Sequence, residues 1–591
     1  MLLGSAVLLC LAGTLYGCKD FLTSAALPQG TLDQTTLANK AGVEGSLIAA
    51  YRQLDVSNGV GGGWGSAASN WEWGSVPSDD AYKGSTASDQ PGITAAESYS
   101  WSSPDIQGDL NDKWRSVYEG ISRSNATLTL LKSVVGSKPG EIPAIDATGI
   151  EGEATFLRAY YHFEAYKLWG NIPYYRETDT DFKKANLTKD LAGKEILKDL
   201  DAAIALLPTT PRNGNVGRAT AWTAKSFKGK VQMYQKDFNG ALTTLKDVVA
   251  NGPYALETSY DRVWTGFFDL ENGKETIFAY QASANDGEPN GNNANYGERL
   301  NMPSTGSPFG CCGFHQPSQN LVNFYGTDAA TGLPVALTNP TTWNTNNGNV
   351  NATVLTPVDP RLDWTAGRDG VPYKDWGPEA PDWIRDPANG GFYNAKKNAH
   401  EKASGAQATV GWAPAQENSV NIHLLRYADV LLLLAEAEVE VGSIANARTL
   451  VNQIRARAAV KVQGPGTARA NIAVPLGDAS VTWANYKIGQ YPAASPYFAD
   501  QASARQAVRT ERRLELAMEG QRFFDLARWG IQDVTLNAYV NGVGGGAEKA
   551  RRLYLAAAAP VQPRHALYPI PTTQIDLSKG GSGGLTQNTG W

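Results

Sequence analysis

Two segments of this chain carry the same pattern of small and large residues at the same offsets, and that repeat limits the fold more than any other feature. In the first, Gly229, Ala241, Leu245, Val248 and Pro253 fall at the small, small, large, apolar and proline positions of a tetratricopeptide unit. In the second, Ala435, Ala447, Val451 and Ile454 occupy the same relative places. Such a unit is a pair of antiparallel helices. It needs small residues where the helices cross closely and larger ones where they face the next pair. Asp237-Phe238-Asn239 and Gly442-Ser443-Ile444 read as the turns within the two pairs. The long interval between the units predicts a helical scaffold with a large insertion, not an uninterrupted solenoid.

Other helical spacing runs over Gln34 to Leu54, Trp114 to Val135, Glu151 to Trp169 and Ile196 to Leu207. Ala154, Leu157, Tyr161, Ala165 and Leu168 make the third the clearest, and Gly170 is placed to end it. The Gly/Trp/Ser-rich stretch from Gly59 to about Pro104 reads as loops. Residues 285–416 are dense in Gly, Pro, Asn, Asp and Trp and read as loops, turns and short strands. A segment this irregular must pack on the scaffold, and ordered loops on a rigid frame are where binding usually resides. The expected organisation is a leader at 1–17 and one domain at 18–591. In that domain a mainly α scaffold covers about 30–280 and 417–535, with the insertion at 285–416 and a tail at 536–591.

The leader ends at a cysteine. Leu2 to Leu15 is almost wholly apolar and too short to span a bilayer comfortably. Leu15-Tyr16-Gly17 before Cys18 has the shape of a bacterial lipoprotein signal, in which Cys18 becomes the first residue and carries lipid. No Lys or Arg precedes Lys19, so either the start lies upstream of Met1 or the signal is atypical. The competing reading is a cytosolic protein with an apolar N-terminus. Of the four cysteines, Cys10 would leave with the leader and Cys18 would take lipid, leaving the adjacent pair Cys311 and Cys312. These form either a vicinal disulfide or two free thiols. No Cys/His spacing suits zinc and no nucleotide-binding motif is present, so no cofactor or assigned metal site is expected; the Asp- and Asn-rich loops leave calcium open, without EF-hand spacing. A net charge of −6 leaves no basic footprint for nucleic acid.

Several signatures together resemble the SusD/RagB family. They are Glu153 to Tyr161 with Trp169-Gly170-Asn171-Ile172-Pro173, Leu425 to Leu431 with Ala435-Glu436-Ala437, and Glu511-Arg512-Arg513-Leu514-Glu515-Leu516 followed by Glu519-Gly520, Arg522-Phe523 and Asp525 to Trp529. The pieces Gln316 to Val322 and Asp359-Pro360-Arg361-Leu362, and the ending Tyr568-Pro569-Ile570-Pro571 with Gln587 to Trp591, fit as well. The resemblance implies a lipid-anchored lid on the extracellular face of an outer membrane. The lid would sit over a SusC-like TonB-dependent transporter and capture an oligosaccharide, or in some relatives a peptide, without catalysis.

Glu511, Glu515, Glu519 and Asp525 lie among Arg512, Arg513, Arg522 and Arg528, and paired carboxylates could serve a glycoside hydrolase. The stronger reading is an ion-pair network, with Glu519–Arg522 and Asp525–Arg528 at i,i+3. The five histidines form no triad or HExxH grouping. A helical-repeat adaptor for proteins is disfavoured by the lipoprotein signal and the large insertion.

Sugars are held by aromatic faces and by side-chain hydrogen bonds to hydroxyls. The ligand candidates are therefore loop aromatics with polar neighbours: Asn70, Trp71, Trp73, Asp79, Asp80, Tyr82 and Trp101 in the first loop region, and Tyr296, Phe309, Trp343, Trp364 and Trp376 in the insertion. Each lone tryptophan has a competing role as a plug against the scaffold. Trp114, Trp169, Trp222 and Trp529 lie in helical segments and are expected in the core.

Overall fold

The computed structural model describes residues 34–55, 60–411, 413–542, 544–580 and 583–591. The leader, Cys10 and Cys18 lie outside the described residues.

Helices make the frame. α1 (Lys40–Arg52) starts behind Asn39, whose side chain accepts from the Gly42 N–H. α2 (Pro104–Ser137) begins ten residues before the spacing suggested, because Ser103 caps it and Pro104 takes the first helical position. α3 (Ala144–Trp169) ends at Gly170, whose φ of 67° only glycine adopts readily. α4 (Lys189–Leu206), α5 (Ala221–Tyr234) and α6 (Phe238–Asn251) complete the first half. After the insertion come α7 (Tyr427–Val441), α8 (Ile444–Ala458), α9 (Gln501–Leu516) and α10 (Arg522–Trp529).

Each helix from α1 to α8 packs on the next, and α9 closes against α7 and α8. α6 lies directly on α7, so the helical array continues across the insertion. The repeat pattern is realised in this packing. A Cβ on Gly229 would sit 2.4 Å from Leu245 Cδ2, so only glycine fits where α5 crosses α6. Ala435 and Ala447 are fully buried where α7 meets α8. The predicted turns stand where expected, with Asp237 and Ser443 capping the second helix of each pair. One apolar core runs along all these helices.

The stretch from Gly59 to Pro104 is not mainly loop. It contains a π-helical turn (Trp71–Ser75), strand β1 (Ala81–Gly84) and a short helix (Pro91–Glu97), and most of its side chains are buried. Its glycines allow backbone to pass backbone: a Cβ on Gly74 would lie 1.9 Å from the Gly520 carbonyl oxygen. The segment is thereby threaded against α10 as a plug, a tertiary arrangement that local spacing does not encode.

The insertion leaves and returns through paired strands. β2 (Thr276–Tyr280) and β4 (Ile422–Arg426) run antiparallel, with Ala279 opposite His423. Within it, β3 (Phe314–Pro317) pairs with β1, setting Tyr82 opposite Gln316. The tail folds back on the plug: Tyr568 stacks on Trp101 at 4.1 Å and Trp591 lies at 5.9 Å. No helix among the described residues is long and apolar enough to cross a membrane.

Candidate functional site

The acidic signature forms a buried ion-pair hub. Arg426, at the end of β4, donates to Glu519 at 2.8 and 2.9 Å, to Glu515 at 2.6 Å and to Glu275 at 2.8 Å. Arg361, from the Asp359-Pro360-Arg361-Leu362 piece, reaches Asp359 at 2.8 Å, Glu511 at 2.7 Å and Glu515 at 3.0 Å. Arg455 pairs with Glu511, Arg457 with Glu275 and Glu515, and Lys397 with Glu519. Five cations (Arg361, Arg426, Arg455, Arg457, Lys397) thus meet five carboxylates (Asp359, Glu275, Glu511, Glu515, Glu519). All are buried. The hub ties α8, α9 and β4 to the insertion, and it leaves no carboxylate of this group free to act on a glycoside.

Two local pairings were expected, and one holds. Arg528 donates to Asp525 at 2.8 Å. Glu519 instead pairs with Arg426 and Lys397, and Arg522 with Asp79 at 2.7 and 2.9 Å. α9 ends at Leu516 and α10 starts at Arg522, and the turn between them, with Gly520 at φ of 67°, sets Glu519 and Arg522 apart.

Most of the sequence-derived ligand candidates are structural. Asp79 and Asp80 are buried against Arg513, and Asp79 also against Arg522, so both hold the plug to the signature rather than facing a ligand. Asn70 donates to Glu164 at 2.8 Å. Trp71, Trp73, Tyr82 and Trp101 are fully buried, and Phe309 and Trp364 nearly so; a ring without surface cannot stack on a sugar. Their N–H and O–H groups go to protein where partners exist: Trp71 to Gly297 O, Trp73 to Gly65 O, Trp101 to Ala96 O, Tyr82 to Glu548. Trp343 is half-buried, edge-on to Phe324, and packs against Gly544. Trp376 is half-buried over Phe309 and donates to His400 O. Trp114 and Trp169 are core as expected, whereas Trp222 and Trp529 are only half-buried.

Burial and pairing act oppositely on the carboxylates. Burial alone would raise Asp79, but Arg513 and Arg522 hold it down at about 2. Glu515, against its own burial, is held below the usual carboxylate range by Arg457, Arg426 and Arg361. A carboxylate depressed in the folded state stabilises above its unfolded pKa, and that stability is lost as pH falls through the folded value. Glu298 acts in reverse: burial raises it to about 7, so its contribution grows as pH falls from 7 toward the unfolded value near 4.5. The unfolding free energy is therefore expected to fall steeply only below about pH 4.5. Asp79→Asn should flatten that fall by about 1 kcal/mol, read from denaturant melts between neutral pH and pH 3.

Trp343, Trp376 and Tyr296 keep part of their surface, and Tyr296 is the one of them stacked on a second partly exposed ring. Tyr296 opens the turn Tyr296–Asn301 and stacks on Trp64, with ring centroids 5.6 Å apart and planes 15° from parallel. Both rings are half-exposed. Arg299, in the same turn, sets its guanidinium 4.0 Å from the Tyr296 centroid and 4.6 Å from that of Trp64, and pairs with Glu417. Trp64 rests on an apolar cluster that includes Trp71, Ile93, Leu300, Cys312 and Phe314, and Cys311 packs at its edge. Cys311 and Cys312 are placed together as a vicinal disulfide. Trp64 was not among the candidates. Its signal was the glycine bracket Gly61-Gly62-Gly63-Trp64-Gly65, which leaves an indole without neighbouring side chains to cover it.

The face is thus a stepped pair of aromatic rings, with an arginine and a carboxylate beside it, on loops from both predicted regions. The sequence model of the SusD family matches residues 274–591, more than half of the chain. The chain belongs to the SusD family. A second family model, described as starch-binding associating with outer membrane, matches residues 66–233. Among curated relatives of this SusD-family chain, SusD-like protein P38 of Formosa agariphila is 26% identical over 70% of this chain and 71% of its own length. SusD-like protein P25 of the same organism is 24% identical over 79% and 77%. Surface glycan-binding protein A from Bacteroides fluxus superposes with a TM-score of 0.66 at 22% identity, over 93% of this chain and 99% of that one. Surface glycan-binding protein A from Bacteroides thetaiotaomicron, solved with laminarihexaose, gives 0.61 at 18% identity over 93% and 99%. At these identities the structural likeness is one of fold: a mainly α, tetratricopeptide-like scaffold carrying a loop-rich insertion.

Proposed function

We propose that this SusD-family chain is a cell-surface lipoprotein that captures oligosaccharides on the Trp64–Tyr296 face and passes them to a SusC-like TonB-dependent transporter. The observation that carries the reading is the stacked, half-exposed pair itself. Two adjoining ring faces offer broad apolar area at little entropic cost, matching the C–H faces of consecutive sugar units. Arg299, itself buried and paired with Glu417, holds the two rings in place rather than reaching a ligand. The reading is supported by relatives of the same fold: one solved structure is a laminarin binding SusD-like protein, and another holds laminarihexaose. In this reading the lipid on Cys18 keeps the face close to the outer membrane on its extracellular side, and binding is the whole task. The signature carboxylates that could have suggested hydrolysis are all held in buried ion pairs, Glu511, Glu515 and Glu519 in the hub and Asp525 against Arg512 and Arg528.

Calorimetric titration of the protein with neutral and acidic oligosaccharides, laminarihexaose included, and with oligopeptides tests the ligand class. The expected result is saturable, micromolar-range or weaker binding of at least one oligosaccharide, and no new reducing ends after incubation with the parent polymer. Binding of an oligopeptide alone moves the chain to the peptide-capturing reading. Release of reducing ends makes it a hydrolase.

A further inference from the structure

A second cleft, lined by other residues, carries an arginine without a counter-ion. It has a volume of about 420 Å³ and lies between α9, α10 and Phe324 of the insertion. Small-ligand pockets start at about 300 Å³, so a sugar unit fits. Arg505 and Arg509 stand one helical turn apart on its wall, Arg509 against Trp529, and Phe324 also lines the cleft.

The local charges do not balance. Arg505 takes both oxygens of Glu440, at 2.6 and 2.7 Å. Arg528 takes both oxygens of Glu436, at 2.6 and 2.8 Å, and the Trp529 N–H donates to the same carboxylate at 3.0 Å. Arg522 is used by Asp79. Arg509 is left with no ion pair or hydrogen bond among the described residues, and its Nε is buried without a partner. It is not simply a solvated surface arginine, because its guanidinium carbon lies over the Trp529 indole, 4.6 Å from the ring centroid. Burial, with Arg528 and Arg505 nearby, lowers its proton affinity despite Glu436 and Glu440, as for a cation in a net positive setting. A planar fork set against the indole, facing an open cleft and short of an anion, is pre-organised for an oxyanion.

We propose that this cleft is a subsite for an acidic sugar, whose carboxylate or sulfate pairs with Arg509 while its ring fills the space between Trp529 and Phe324. The sugar half of the proposal rests on the glycan reading above; the oxyanion half rests on Arg509 alone.

The test is calorimetry of the full chain at low salt with glucuronate, galactose 6-sulfate, glucose, inorganic sulfate and N-acetylaspartate, on the parent protein, on Arg509→Gln and Arg509→Lys, and on Trp64→Ala with and without Arg509→Gln. The expected result is binding of both acidic sugars that weakens at high salt, no detectable glucose binding, and at least tenfold loss in Arg509→Gln with partial retention in Arg509→Lys. The loss on Arg509→Gln should be the same size in a Trp64→Ala background, which separates this cleft from the Trp64–Tyr296 face. Glucose binding as well as glucuronate, or Arg509→Gln within twofold of the parent, overturns the proposal. Sulfate and N-acetylaspartate binding as tightly as glucuronate overturns its sugar half. Arg509 is half-exposed, so its variants are expected to fold, and a thermal melt of each confirms it.

Discussion

Glu515→Ala is expected to cost about 3–5 kcal/mol of stability, the usual effect of removing one partner from a buried ion network. Glu515 is fully buried, and its two oxygens face Arg426, Arg457 and Arg361. Deleting the carboxylate leaves three guanidinium groups with four remaining acidic partners in the hub, and leaves a cavity where no water replaces the lost charge. Neither Arg426 nor Arg457 can swing to solvent, because both are buried between β4, α8 and α9. Glu515→Gln should cost less, since it keeps the volume and one acceptor oxygen, yet still strip the charge. The measurement is the denaturant midpoint with its slope. Because the hub joins the insertion to the scaffold, the alanine variant should also unfold with a reduced slope, as the insertion loosens before the helices. A change below about 1 kcal/mol, typical of exposed pairs, would contradict the structure.

The sequence told most where the determinants are local. The small residues at Gly229, Ala435 and Ala447 mark helix crossings because a crossing is decided by the width of one side chain, and that is visible in one position. Asp525 and Arg528 could be paired from spacing alone for the same reason. The partners of Glu519 and Arg522 could not. They come from Arg426, Lys397 and Asp79, which are far away in sequence, and the turn at Gly520 separates residues that a continuous helix would have joined. The candidate site was legible as two regions but not as residues. Trp71, Trp73 and Trp101 have the same flanks of small and polar residues as a surface ring, yet the tail and the insertion fold over them. Whether a loop tryptophan is plug or platform depends on what packs on it from elsewhere. Only Trp64, walled by glycines, carried a local clue.

Trp64→Ala is expected to lower oligosaccharide affinity by about 30-fold, roughly the 2 kcal/mol of a binding hot spot, with little change in stability. The ring is only partly buried, at the rim of the small Trp71–Phe314 cluster and against Tyr296, so its removal trims an edge and opens no cavity in the main core. Tyr296→Ala should act similarly, and the double variant should lose less than the sum of the two, because each ring flattens the other against a ligand. Trp71→Ala provides the contrast. Trp71 touches no solvent, but its N–H holds the Gly297 carbonyl at 3.0 Å, one residue beyond Tyr296. Its loss should cost about 3–5 kcal/mol of stability and weaken binding as well, through the displaced turn. Titration of the cognate oligosaccharide beside a thermal melt distinguishes the two roles: binding falls alone for Trp64, and binding falls with stability for Trp71. If Trp64→Ala binds within twofold of the parent, the ligand does not lie on this face.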